Sequence, residues 1–169
     1  WAAQGREQPI AERALAWLEA NKPAGEPDGL VWGDARIGNI IFEGTRVVAV
    51  LDWEMVTVGS PEKDLGWAVF LDRHHSEGIG APRLAGFPSY DDATAHYEAH
   101  SGHRVKHLHY YQVYAGFRFA VVMMRIAQQL LHYGLMTAEQ SRAMEQNNTV
   151  TQLTAKLLGL PTPAELMKP

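Results

Sequence analysis

The sequence predicts an α+β domain that is mostly helical and carries one short β-hairpin. Three observations lead there. Two β-rich runs, residues 39–42 and 47–51, are joined by the turn Glu43-Gly44-Thr45. A helical pattern continues from residue 104 to residue 133. Capping signatures recur at Ser60-Pro61, at Thr137 with Gln140 and at Thr162 with Glu165. A chain of 169 residues suits a single domain with a sizeable core.

In order along the chain, residues 9–21 place Ile10, Ala14, Trp17 and Leu18 on one helical face, with Pro9 in the first turn and Pro23 beyond the end. Pro23, Gly25, Pro27 and Gly29 make a loop before the hairpin. Ser60 is read as an N-cap with Pro61 at the first helical position, and Leu65, Ala68, Val69 and Asp72 follow at helical spacing. Residues 76–89, rich in glycine and proline, form a long loop, and residues 90–100 form a helix stopped at Ser101-Gly102. The long helix over 104–133 is apolar all round at Val121–Met124, which predicts burial on most sides there. Thr137 and Gln140 open a further helix expected to reach Leu158 and stop at Gly159; a short helix follows Thr162.

Composition removes several classes of function. Apolar residues make up 46% and charged residues 20% of the chain, as in globular proteins, and a net charge of −4 gives no basic footprint for nucleic acid. No run approaches the length of a membrane span, so no membrane partner is expected. Without cysteine there is no disulfide, thiolate metal site or cysteine nucleophile, which suits a cytoplasmic location. The chain opens at Trp1 with neither an initiator methionine nor a signal-peptide pattern, and reads as a piece of a longer protein.

The chemistry concentrates in Trp32-Gly33-Asp34-Ala35-Arg36-Ile37-Gly38-Asn39 and Leu51-Asp52-Trp53-Glu54. Phosphoryl transfer asks a protein mainly for positioning and charge neutralisation. It needs a carboxylate to orient and deprotonate the attacking hydroxyl, and oxygen ligands to hold Mg²⁺ against the phosphates. Asp34 and Asn39 lie five residues apart on a loop entering a strand, and the hairpin returns Asp52 towards that loop. One base and two metal ligands are thereby delivered to one place.

The same spacing of aspartate and asparagine occurs in the protein-kinase catalytic loop. The chain more closely resembles the aminoglycoside phosphotransferase family of the protein-kinase-like superfamily. Gly33-Asp34 with Asn39, Leu51-Asp52-Trp53-Glu54, and Gly59-Ser60-Pro61 with Asp64-Leu65 match that family in order and spacing. The resemblance spans residues 9–158, is densest over 30–72, and is nearest to the actinobacterial and acyl-CoA-dehydrogenase-linked branch. It implies the C-terminal, larger lobe of a protein-kinase-like fold, and an ATP- and Mg²⁺-dependent transfer to a small-molecule hydroxyl. Carried over, Asp34 is the base, Asn39 and Asp52 hold the metal and nucleotide phosphates, and Glu54 assists the metal through water. Arg36 stands where protein kinases often place a lysine facing the transferred phosphate, and Asp64 is structural, holding the catalytic loop from the following helix.

This sequence departs from the family in two respects. Trp32 replaces the usual histidine, a residue that braces the loop, and no glycine-rich or Gly-Lys-Ser/Thr phosphate loop is present. None of Lys22, Lys63, Lys106, Lys156 and Lys168 lies in a nucleotide-binding strand pattern, so the N-terminal lobe that covers ATP is expected to be absent from these residues. Those departures support an alternative, a non-catalytic binding or regulatory module on a kinase scaffold. A metal-dependent phosphohydrolase would need further metal carboxylates that the sequence does not show. His96, His100, His103, His107 and His109 are read as solvent-facing or interhelical, and Arg118 and Arg125 as pairing with buried carboxylates in preference to binding an anionic substrate group. From residue 105 to 132 there is no acid, so the acceptor is expected to be apolar or anionic rather than polycationic.

Overall fold

The computed structural model describes residues 7–166; Trp1 and Lys168 lie outside them. In chain order the elements are α1 (Pro9–Ala20), β1 (Gly29–Val31), β2 (Ile40–Glu43), β3 (Arg46–Val50), β4 (Thr57–Gly59), α2 (Glu62–Arg73), α3 (Tyr90–Ser101), α4 (Leu108–His132), α5 (Ala138–Gln146), α6 (Thr149–Leu158) and α7 (Pro163–Leu166). A 3₁₀ turn at Ile37–Asn39 leads into β2, and a π turn at His74–Gly78 extends α2.

Helix α4 is the axis of the fold, with α1, α2, α5 and α6 packed around it. Its small residues Ala115 and Ala120 meet Trp67, Phe70 and Leu71 of α2 and Val150 and Leu153 of α6 in the main core. Val113, on the α1 side, joins Ala14 and Leu18 in a second cluster. The approach of α2 to α4 is close enough to require a glycine. A Cβ on Gly66 would lie 2.5 Å from the Cβ of Tyr111 and 2.7 Å from its carbonyl carbon. Where α4 passes between α2 and α6, Gly116 is similarly confined by Phe70 and Thr154.

The expected hairpin is present: β2 and β3 pair antiparallel with Ile40 opposite Val50 and an irregularity between Ile41 and Phe42. A second antiparallel pair, β1 with β4, was not expected; Gly29 faces Gly59 and Val31 faces Thr57. Three-residue strands carry too short a pattern to be read, and the partners lie some thirty residues apart in the chain. This second pair clamps the base of the segment that contains both functional loops.

Four expectations need correction. The helix expected from 138 to 158 is two helices, because Asn148 leaves the helical path and caps α6, accepting from the N–H groups of Val150 (2.9 Å) and Thr151 (3.0 Å). Helix α4 starts at Leu108 rather than 104: buried Glu62 accepts from the backbone N–H of Lys106 (2.9 Å) and His107 (2.8 Å), holding residues before the helix in a loop. Helix α2 starts at Glu62 with Pro61 at its N-cap position, one residue later than expected; the Ser60 hydroxyl still accepts from the Glu62 N–H at 3.4 Å and donates to Glu26 at 2.8 Å. Along Val121–Met124 only Met124 is buried, and Val122 is 38% exposed, so this turn of α4 borders solvent. Among the described residues no helix is long and apolar enough to cross a membrane.

Gly66→Ala should lower unfolding stability by about 1–3 kcal/mol through overpacking against Tyr111, read as a lower urea midpoint at unchanged slope.

Candidate active site

Gly33 and Asp34 sit on a loop that the first turn of α2 holds in place. One carboxylate oxygen of Asp64 accepts from the Trp32 N–H at 2.6 Å and the other from the Gly33 N–H at 2.8 Å. Asp64 therefore has the loop-holding part that the resemblance implied. Gly33 adopts φ +94°, and a Cβ there would come within 2.8 Å of the Met55 Cβ, so both its conformation and its surroundings demand glycine. Its carbonyl accepts from Arg118 Nη1 at 2.5 Å.

That backbone aims the Asp34 carboxylate into a ring of donors. Oδ2 accepts from Asn39 Nδ2 at 2.7 Å and from Arg36 Nε at 2.9 Å, while Oδ1 accepts from Trp67 Nε1 at 2.8 Å. Partial burial pushes the Asp34 pKa up, but hydrogen bonds from Arg36, Trp67 and Asn39, with the Arg36 charge, outweigh it. The net result lies below the group's ordinary value, so the carboxylate is ionised at neutral pH.

Asn39 is buried, and its amide nitrogen also donates to the Asp34 carbonyl at 3.1 Å. With the nitrogen committed, the amide oxygen is the atom able to serve a cation. Pairing of β2 with β3 then fixes where Asp52 lies: the Leu51 N–H donates to the Asn39 carbonyl at 2.8 Å, and Asp52 is the next residue. Asp52 is exposed and has φ +58°, the left-handed region that costs most non-glycine residues about 1 kcal/mol or more. Trp32 holds that backbone, its indole N–H shared between the carbonyls of Leu51 (2.8 Å) and Asp52 (3.2 Å). The bracing role of the family histidine at this position thus has a physical counterpart. Glu54 is exposed on the turn that follows.

The structure therefore brings Asp34, Arg36 and Asn39 into direct contact and sets Asp52 one residue from the Asn39 pairing site; Glu54 lies two residues further on, exposed on a turn. Sequence reasoning passed over Trp67. Its position three residues after Asp64 places it on the same face of α2, a signal that could have found it. Arg118 was expected to pair with a buried carboxylate. Instead it bonds the Gly33 carbonyl, stacks with its Cζ 4.2 Å from the Trp67 ring centre, and reaches the Met55 sulfur at 2.7 Å. Its partner is the loop that carries Asp34.

The sequence model of the phosphotransferase enzyme family (APH) matches residues 1–102, more than half of the chain. The chain belongs to that family. It is 41% identical over 69 residues to acyl-CoA dehydrogenase family member 10 of Mus musculus, covering 40% of this chain and 6% of the relative. It is 44% identical over 70 residues to acyl-CoA dehydrogenase family member 11 of Gallus gallus, covering 40% and 9%. The chain thus spans less than a tenth of the length of these relatives. Its fold is that of a crystal structure of a candidate aminoglycoside phosphotransferase from Ralstonia eutropha JMP134, with a TM-score of 0.66 at 22% identity over 89% of this chain and 50% of that one. The phosphotransferase fold and the link to acyl-CoA dehydrogenase family proteins agree with what the motifs implied.

Arg36→Met should raise the Asp34 pKa, since burial would then oppose two hydrogen bonds instead of three and no cation. Because the folded pKa is depressed, Asp34 contributes stability that is present above the unfolded value of about 3.9 and lost as pH falls through the folded one. The variant should lose it at higher pH; an NMR titration of the Asp34 carboxyl carbon, with acid unfolding beside it, reads both.

Proposed function

We propose that this chain supplies the base and the cation ligands for moving the γ-phosphoryl group of ATP to a hydroxyl of a small molecule, with Mg²⁺. The observation that carries this reading is the Asp34 carboxylate, ionised and fixed on both oxygens, hydrogen-bonded to Asn39 and one hairpin away from Asp52. A fixed carboxylate can orient an incoming hydroxyl and take its proton as the oxygen–phosphorus bond forms and ADP departs. Its lowered pKa makes it a weak base, which suits a transfer in which the proton moves late and positioning contributes most.

The donor set fits a small hard cation. An amide oxygen from Asn39 and a carboxylate from Asp52, with Glu54 acting through water, are the few oxygen ligands that Mg²⁺ takes beside nucleotide phosphates and water. Among the described residues no group of three or more His, Cys, Asp or Glu side chains gathers to hold a metal by itself. When bound, the cation would neutralise charge on the phosphates. Arg36, half exposed beside Asp34, has further N–H groups to offer a phosphate oxygen. The nucleotide itself would be covered by an N-terminal lobe outside these 169 residues; the absence of any phosphate-binding loop in the sequence supports that division. The lack of any acid along α4 supports an acceptor that is not polycationic.

In the protein that carries this lobe together with its nucleotide-binding partner, Asp34→Asn should lower kcat by about 10²-fold or more while leaving ATP affinity in place. Full activity in that variant would remove Asp34 from the role. Asp52→Asn should instead shift the Mg²⁺ concentration for half-maximal rate upward, because a charged ligand is lost. An unchanged Mg²⁺ dependence would exclude Asp52 as a ligand.

A further inference from the structure

A cleft of about 560 Å³ opens beside the catalytic loop, a size within the range of about 300–1,000 Å³ typical of small-molecule sites. Ala35, Arg36, Ile37 and Gly38 form one wall, so the cleft begins at the residue following Asp34. Ala68 and Leu71 of α2 form its floor, and the loop over residues 81–87 forms the opposite wall.

Two properties of this cleft bear on what it holds. Its walls expose large apolar side chains that the fold leaves uncovered: Ile37 is 66%, Leu84 70% and Phe87 47% exposed, and they face the same space from opposite sides. Its charges are also already paired. Arg36 Nε lies 2.9 Å from the Asp34 carboxylate, and Arg83 Nε lies 2.9 Å from that of Asp72. Arg83 further donates to the Pro88 carbonyl at 2.7 Å and stacks 4.7 Å from the centre of the Tyr90 ring, which pins the outer wall against α2 and α3. Beyond the remaining N–H groups of Arg36, a ligand would find little free charge to engage here, and would gain affinity mainly by covering carbon.

We propose that this cleft is the acceptor site and that it takes an alcohol with an apolar body, seated between Ile37 and the Leu84–Phe87 wall with its hydroxyl towards Asp34. This rests on Asp34 being the base of a phosphotransferase. It goes further by naming the acceptor's chemical class and the loop that selects it. A polyol would leave most of its hydroxyls against carbon, and an aminoglycoside would meet carboxylates that Arg36 and Arg83 already engage.

Amide NMR of isotope-labelled protein titrated with 1-octanol, sorbitol and kanamycin tests this without requiring phosphoryl transfer. Octanol should shift the amides of Ala35–Gly38 and Ala81–Phe87 saturably, at about tenfold or more lower concentration than either of the others. Leu84→Asp and Phe87→Asn replace side chains that already lie largely in solvent, and each should weaken octanol binding by about fivefold or more. Octanol shifts confined to other parts of the molecule, sorbitol or kanamycin binding the cleft as tightly, or unchanged octanol affinity in both variants would each overturn the proposal. Such a result leaves the role of Asp34 standing, because that role is read from kcat in the Asp34→Asn protein.

Discussion

The site depends on two carboxylates in the first turn of α2. Glu62 and Asp64 are two residues apart, so their side chains leave the helix on different sides. Asp64 receives the N–H groups of Trp32 and Gly33, and buried Glu62 receives those of Lys106 and His107. One turn thereby fixes the loop that carries Asp34 on one side and the entry to α4 on the other. Acids are favoured at this end of a helix by its partial positive charge, so the positions that stabilise α2 also tie it to its neighbours. Hydrogen bonds from backbone N–H to buried carboxylates are strong, and losing such a carboxylate would leave several donors unpaired at once.

From that clamp the rest of the site follows by short steps. With Gly33 pinned and pressed against Met55, the next residue can point only into the space bounded by Arg36, Asn39 and Trp67. Arg118 closes the arrangement from α4, contacting the Gly33 carbonyl and lying over the same Trp67 ring that donates to Asp34. Burial lowers the Arg118 pKa, and Tyr114, Asp34 and Asp64 raise it in opposition. A cation among those acids belongs to the electrostatics of the loop even though it touches neither carboxylate.

The parts of this site that could be read in the sequence are those made by neighbours in the chain. Asp34 with Asn39, and Asp52 at the end of a hairpin, are local spacings, and a five-residue interval on a loop entering a strand survives folding almost unchanged. The capping residues Thr137 and Gly159 were legible for the same reason. What escaped was set by distant partners. Trp67 and Arg118 reach the loop from 33 and 85 residues away, and the β1–β4 pair joins strands too short to announce themselves. The start of α4 was misplaced because helical periodicity cannot foresee that Glu62 will take the N–H groups of Lys106 and His107. Asn147-Asn148 was a legible break overlooked in favour of a long amphipathic pattern, although asparagine is a strong N-cap and a poor interior residue.

The substitution of tryptophan for the family's histidine at position 32 shows how a constraint can be kept while its chemistry changes. What the position must supply is an N–H directed at the backbone leading into Asp52, and an indole has one such donor that does not titrate. A histidine there would change its hydrogen-bonding options across the physiological pH range, whereas Trp32 donates to Leu51 and Asp52 regardless of pH. The larger ring also packs 6.0 Å from Trp53, adding apolar support on the exposed side of the hairpin. Asp52, held in a left-handed conformation, is thus fixed by a donor that does not titrate. The departure from the family pattern keeps an N–H donor on the backbone leading into Asp52, the residue proposed as a cation ligand.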